Sequence, residues 1–229
     1  MDKLKTPFRC GLLCFFLIIA LMPGCSFELI SGQSIFSGTD KHTALLLIDI
    51  QNFYFPKGKI PLTNSDPASQ KAKEILAFFR KHELPVIHVK HMPGNQSSTN
   101  TGNDPGWAIH TLVTPLPGEK VIQKHHVNCF RETDLLDFLR KRQIRKLVVC
   151  GMQTHMCLEA GVRAAADFGF SVKLIHDACA SRDLVFGNTR IPADLVHAST
   201  LATLKSGYAK VLSAAEFIEE QHAADNPKN

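Results

Sequence analysis

The sequence has few of the features that mark a nucleic-acid-binding or zinc-binding protein. One Trp and two Tyr offer little for stacking on bases, and Lys and Arg are scattered instead of gathered in a stripe. The formal net charge is only +5, of which Asp2, Lys3, Lys5 and Arg9 supply +2. Nucleic acid is thus not an expected partner. No CxxC pair and no Cys/His spacing of a structural zinc site is present. Nor is there an apolar run of the roughly 20 residues that a spanning helix needs. The longest, residues 10–22, has 13.

What is present begins with that run. A basic stretch (Lys3, Lys5, Arg9), the apolar run and then Pro23, Gly24 and Cys25 have the layout of a targeting segment, to be left out of the fold. Ending on Gly24 and Cys25, it resembles a bacterial lipoprotein signal, in which Cys25 becomes the lipidated first residue. An uncleaved N-terminal anchor or an ordinary signal peptide is the alternative. Each reading expects an exported chain, periplasmic or held at a membrane through its leader or lipid. Of seven cysteines, Cys10, Cys14 and Cys25 lie in residues 1–25, leaving Cys129, Cys150, Cys157 and Cys179. In an oxidising compartment two of these could pair, and a free one would be open to oxidation.

The rest of the chain is long enough for one sizeable core and too short for two. Residues 26–42 read as a linker, 43–222 as the domain, and 223–229 as a polar tail. Within the domain, short apolar runs at 44–49, 85–90, 120–124, 146–151, 171–178 and 209–214 read as strands. The first, fourth and fifth are nearly continuously apolar, as strands covered on both faces are. Helical patterns fall between them at about 67–82, 133–142, 155–168, 192–205 and 215–222. Asp66-Pro67 and Ile191-Pro192 mark two helix starts. This alternation predicts an α/β fold: a doubly wound, mostly parallel six-stranded sheet with helices on both faces. Residues 91–107, rich in Gly, Asn, Ser and Thr, read as a mobile loop or lid.

In such sheets ligands sit beyond the carboxyl ends of the strands. The first strand ends in Asp49, the third in Lys124, and the fourth runs through Gly151 to Thr154 and Cys157. If Thr154 caps the next helix, Cys157 lies in its first turn, where free N–H groups and a nearby Lys124 ammonium favour a thiolate.

The segments LLLIDIQNFYF, VIQKHHVNCF and VVCGMQTHMCLEAGVRAAADFGFSVKLIHDACASRD resemble the isochorismatase-like cysteine hydrolase superfamily, over residues 43–218. The resemblance implies a catalytic triad of Asp49, Lys124 and Cys157. It also implies a cis peptide at Met152-Gln153 that turns backbone N–H groups toward an oxyanion. THMCLEAGVRAAADFGF, DACASRDL and IPADLVHASTLATL look most similar to members that hydrolyse amide or lactam C–N bonds, such as the streptothricin-hydrolase-like branch. Nicotinamidase-like members carry an Asp-x-His metal pattern after the second strand, where this chain has only His88 and His91. The resemblance therefore implies no cofactor or metal, a small-molecule amide substrate, and a homo-oligomer. Phe53 and Trp107 are candidate substrate contacts.

Each of these residues also has a plainer role open to it. Cysteine is among the most buried residue types, so Cys157 could be packing alone. Asp49 could cap a turn, Lys124 could be a solvated charge, and Phe53 could be core. Gln153 could serve only the turn. The histidines at 88, 91, 110, 125, 126 and 155 could ligate a metal or be merely polar. Beside the cysteine hydrolase stand two alternatives: a catalytically silent binding protein of the same fold, and a metal-assisted, nicotinamidase-like amidase.

Overall fold

A computed structural model describes residues 40–92 and 104–225. The leader, Cys25, and residues 93–103 of the expected lid lie outside them. The elements in chain order are β1 (Thr43–Ile48), α1 (Ser65–Lys81), β2 (Val86–His91), β3 (Lys120–Lys124), α2 (Leu135–Lys141), β4 (Lys146–Met152), α3 (Glu159–Asp167), β5 (Ser171–Ala180), β6 (Leu184–Phe186), β7 (Thr189–Ile191), α4 (Ala193–Gly207), β8 (Lys210–Leu212) and α5 (Ala214–Asp225). Six strands form one sheet in the order β3-β2-β1-β4-β5-β8, every neighbouring pair parallel. The α/β, doubly wound architecture expected from the sequence is the one observed.

Burial explains the sequence patterns. All six residues of β1 are buried, because the strand is flanked by β2 and β4 and covered on both faces. On one face α1 and α5 pack together through Phe78, Phe79 and Phe217; α3 and α4 pack against each other elsewhere on the sheet. Right-handed crossovers that leave β1 and β4 in opposite directions put α1 and α3 on opposite faces. The edge strand β3 instead alternates, with Val121 and Gln123 exposed and Ile122 and Lys124 buried. The pleat's period of two thus carries a lysine to the interior beside an isoleucine.

Several local details differ from the sequence reading. The cap of α1 is Asn64, in a left-handed conformation, and Asp66 and Pro67 fall inside the first turn. The start of α4 is capped at a distance, the Ala193 N–H donating to Asp183 Oδ1 at 2.8 Å. The antiparallel β6–β7 hairpin was not foreseen; three-residue strands give too short a periodic signal. Its Val185 and Phe186 are exposed. His91 ends β2, and Pro105–Trp107 is a short 3-10 turn, so both described ends of the expected lid are regular structure.

One irregularity shapes the centre of the sheet. The register between β4 and β5 shifts between Val149 and Gly151. Gly151 has φ +132°, and a Cβ there would lie 2.0 Å from the carbonyl oxygen of Ile48. Only glycine lets β4 pass so close to the end of β1. The residue after Ile48 is Asp49, itself at φ 51°, a conformation that Asp tolerates better than most.

Candidate active site

The strand order reverses between β1 and β4, and the crevice outside the carboxyl ends of these strands holds an ionisable cluster. Asp49 follows β1, Lys124 closes β3 and Cys157 follows β4. Asp49 and Lys124 are completely buried and Cys157 is 5% exposed. Lys124 Nζ lies 2.6 Å from Asp49 Oδ2, donates to Cys157 Sγ at 3.0 Å and to the His126 carbonyl at 3.2 Å, and meets His91 Nδ1 at 3.0 Å. The plainer role for Lys124, a solvated charge, does not apply, since its side chain is completely buried.

The turn carrying Cys157 is not the one expected. Thr154 does not cap a helix; it opens a wide π-type turn, Thr154–Leu158, in which the Leu158 N–H donates to the Gln153 carbonyl at 3.3 Å. The Thr154 hydroxyl instead donates to the Ala180 carbonyl at 3.0 Å and meets His197 Nδ1 at 2.9 Å. The Met152–Gln153 peptide is cis. Gln153 Nε2 donates to the Tyr54 hydroxyl at 3.2 Å.

The surroundings of Cys157 run against the expected thiolate. Burial, and then the Asp49 carboxylate, push the Cys157 thiol up to about 12, and Lys124 offsets only part of this. Burial likewise raises Asp49 above the ordinary carboxylate value, against the pull of Lys124. Burial alone would lower Lys124, but Asp49 and Cys157 hold it above the ordinary lysine value. Burial thus draws both the Cys157 thiol and the Asp49 carboxyl toward their protonated forms, while Lys124 is held toward its charged one. The Asp49 carboxylate, which interacts with the thiol, is an acceptor whose proton affinity burial has already raised.

Phe53 and Trp107 meet edge to face, with centroids 4.9 Å apart, and Trp107 lies over the His91 ring at 6.1 Å. Phe53 is buried and Trp107 half-buried. The Trp107 turn is tied down by the Asp104 side chain, which accepts from the Gly106 N–H at 2.8 Å and pairs with Lys59. Asn52 Nδ2 donates to the Pro105 carbonyl at 3.0 Å.

Sequence reasoning missed two contributors. Gln51 was not considered, although it stands only two residues past Asp49; its amide joins the backbones of His91 and Trp107. His91 was grouped with the other histidines, which the structure disperses. His88 Nε2 meets Glu119 at 2.9 Å, His126 Nε2 meets Glu132 at 2.9 Å, His155 Nδ1 meets Ser181 at 2.7 Å, and His110 stacks on Phe55. Only position along the strand distinguishes His91, as the residue on β2 in register with Lys124.

Asp49, His91 and Cys157 bring ligand atoms within 4.8 Å of one another, a spacing that a metal ion could span. The donor set does not fit one. The Lys124 ammonium already contacts all three, and a dication would meet that charge at contact distance. A hollow lined by Arg80, Leu116, Phe138 and Arg142 sits by the first residues of β2 and β3, at the opposite end of the sheet, and includes none of the cluster.

Comparison with known proteins bears on the family and the fold. The Isochorismatase domain family model matches residues 43–216. An uncharacterized isochorismatase family protein of Bacillus subtilis, YddQ, is 43% identical over 178 residues, covering 77% of this chain and 99% of its own. Streptothricin hydrolase of Streptomyces noursei is 32% identical over 141 residues, 62% of this chain and 55% of that protein. Among solved structures, one from Oleispira antarctica, assigned provisionally as an isochorismatase hydrolase, superposes with a TM-score of 0.75. It is 42% identical, covering 79% of this chain and 97% of that one.

Proposed function

The chain belongs to the isochorismatase family of hydrolases, and on that premise we propose that it is a cysteine hydrolase cleaving an amide or lactam C–N bond of a small molecule. The observation that carries the reading is Lys124 Nζ, in contact with both the Asp49 carboxylate and the Cys157 sulfur in a buried site.

The chemistry follows from these contacts. As the sulfur attacks the carbonyl carbon, its proton passes to Asp49, so that no free thiolate need form beforehand. The carbonyl becomes an oxyanion, held by the Cys157 N–H and one from the Met152-Gln153 segment. Collapse expels the nitrogen, which takes the proton from Asp49, and leaves a thioester on Cys157. Water then gives a proton to Asp49 and its oxygen to the carbonyl carbon, releasing the acid and restoring the thiol. Lys124 holds Asp49 in place throughout and keeps its charge. Phe53 and Trp107 line the substrate's approach.

The test is a panel of small amides and lactams with mass spectrometry of the quenched protein. An acyl mass on Cys157, absent in Cys157→Ser and accumulating at a lower rate in Asp49→Asn, supports the proposal. Hydrolysis that survives Cys157→Ser overturns it. The silent binding protein is favoured by one observation, the high proton affinity of the resting thiol. It predicts binding of an amide with no acyl mass at all. The metal-assisted alternative has no support in the donor set described above.

Two further parts of this proposal rest on sequence and surface. Residues 1–25 export the chain and Cys25 carries lipid, which a Cys25→Ser variant that loses membrane sedimentation would support. The exposed Val185 and Phe186 of the β6–β7 hairpin favour a homo-oligomer, to be read from the solution mass of wild type against Phe186→Asp.

A further inference from the structure

His91 is held more firmly than its place at a strand end requires. Its backbone N–H donates to Gln51 Oε1 at 2.8 Å and its carbonyl accepts from Gln51 Nε2 at 3.0 Å. The same Nε2 donates to the Trp107 carbonyl at 2.7 Å, so one amide fixes both residues, whose rings lie 23° from parallel. The ring's Nδ1 sits 3.0 Å from Lys124 Nζ. A lysine ammonium has donors only, so a proton on Nδ1 would face another donor, and the tautomer that leaves Nδ1 bare is favoured. The imidazole is then neutral and carries its proton on Nε2. Burial, and then the charge of Lys124, hold His91 down to about 4, in keeping with this.

A donor fixed in this way has no acceptor among the described residues, and the ring is only partly buried. The same ring touches the lysine that contacts Cys157 and the tryptophan that lies against Phe53. His88 and His126 differ in turning Nε2 to a carboxylate, and His155, whose Nε2 has no partner among the described residues, turns Nδ1 to Ser181 and not to a lysine.

We propose that His91 is a specificity-determining residue whose Nε2–H donates to an acceptor oxygen or nitrogen of the substrate, close to the scissile carbonyl. This rests on the hydrolase reading and adds a substrate class to it: amides with a second acceptor beside the amide carbonyl. An amide presenting a donor or an ammonium there meets a second donor and is rejected. Lys124 is what sets this preference, because it disfavours the other tautomer.

The experiment has two arms that fail independently of each other. In the first, long-range 1H–15N NMR of the imidazoles is recorded on full-length Cys157→Ser protein, which needs no turnover. The expected result is a neutral ring protonated at Nε2 from pH 5 to 9, assigned by its loss in His91→Phe. Its Nε2–H signal moves on titration with pyruvamide and not with isobutyramide, which has a methyl in place of the second oxygen. A charged ring, the Nδ1–H tautomer, or equal responses to the two amides overturns the proposal.

In the second arm, kcat/KM is measured for the same two amides, or for a matched pair from the panel that differs in that acceptor alone. His91→Phe should lower the value for the acceptor-bearing amide by about tenfold or more and change the other by less than about twofold, with His91→Gln restoring part of the loss. Equal losses for both amides would mean that His91 only positions Lys124, and the proposal falls. If no amide is cleaved, the hydrolase reading fails, while the NMR arm still decides whether His91 is a substrate donor.

Discussion

Lys124 Nζ lies 3.0 Å from the sulfur of Cys157, yet the thiol is held at about 12 and not below its ordinary value. Burial and the adjacent Asp49 carboxylate outweigh the ammonium. Alkylation of Cys157 by iodoacetamide should therefore show no inflection below roughly pH 9. Asp49→Asn removes the repelling charge and should bring the inflection down, whereas Lys124→Met should raise it further. Site-resolved mass spectrometry separates Cys157 from the other thiols. A wild-type inflection near pH 7 would contradict the argument.

Lys124→Met leaves a buried carboxylate without its partner and should destabilise the fold by about 3–5 kcal/mol in urea unfolding at neutral pH. Asp49→Asn combined with Lys124→Met leaves no such charge, and the double variant should be more stable than the sum of the single losses predicts. Simple additivity would show that the 2.6 Å contact carries no coupling.

Glu119 predicts an acid limb. Burial would raise it, but the Arg80 guanidinium, the Leu116 N–H and His88 together hold it at about 2 against an ordinary 4.5. A folded-state value below the unfolded one gives stability that is full above about pH 4.5 and is lost as pH falls toward 2. Glu119→Gln should lower the melting temperature at neutral pH and flatten the decline between these limits. An unchanged acid limb in the variant would assign the decline to other carboxylates.

Gly151→Ala would place a methyl 2.0 Å from the Ile48 carbonyl oxygen at φ +132°. The expected loss is about 3 kcal/mol or more, with weakened pairing at the end of β1 where Asp49 begins. Chemical unfolding measures the first, and the Cys157 alkylation profile the second.

The sequence carried the architecture because β1, β4 and β5 are apolar on both faces and helices alternate with them, a pattern that belongs to few folds. It also carried the Asp49, Lys124 and Cys157 grouping, since each stands at a strand's carboxyl end. The protonation of the site was not legible. Whether a lysine lowers a thiol's pKa or fails to depends on depth and on which third charge is nearer, and sequence spacing encodes neither. Gln51 escaped notice for a related reason: its task is to join His91 and Trp107, two backbones far from it along the chain. Whether Thr154 caps the next helix was hidden for the same reason, because Ala180 and His197, which meet its hydroxyl, come from β5 and α4.

The reversal of strand order between β1 and β4 also bears on the order of folding events. Asp49 and Lys124 come from one wing of the sheet and Cys157 from the other, joined through contacts between segments remote in sequence. Such contacts close slowly, because a long loop must be ordered before any of them is rewarded. During refolding, helix content should thus return before Cys157 acquires its abnormal proton affinity. A nascent chain that has not yet delivered β4 buries no thiol beside the carboxylate. Reactivity at residue 157 is a clock for the last stage of assembly.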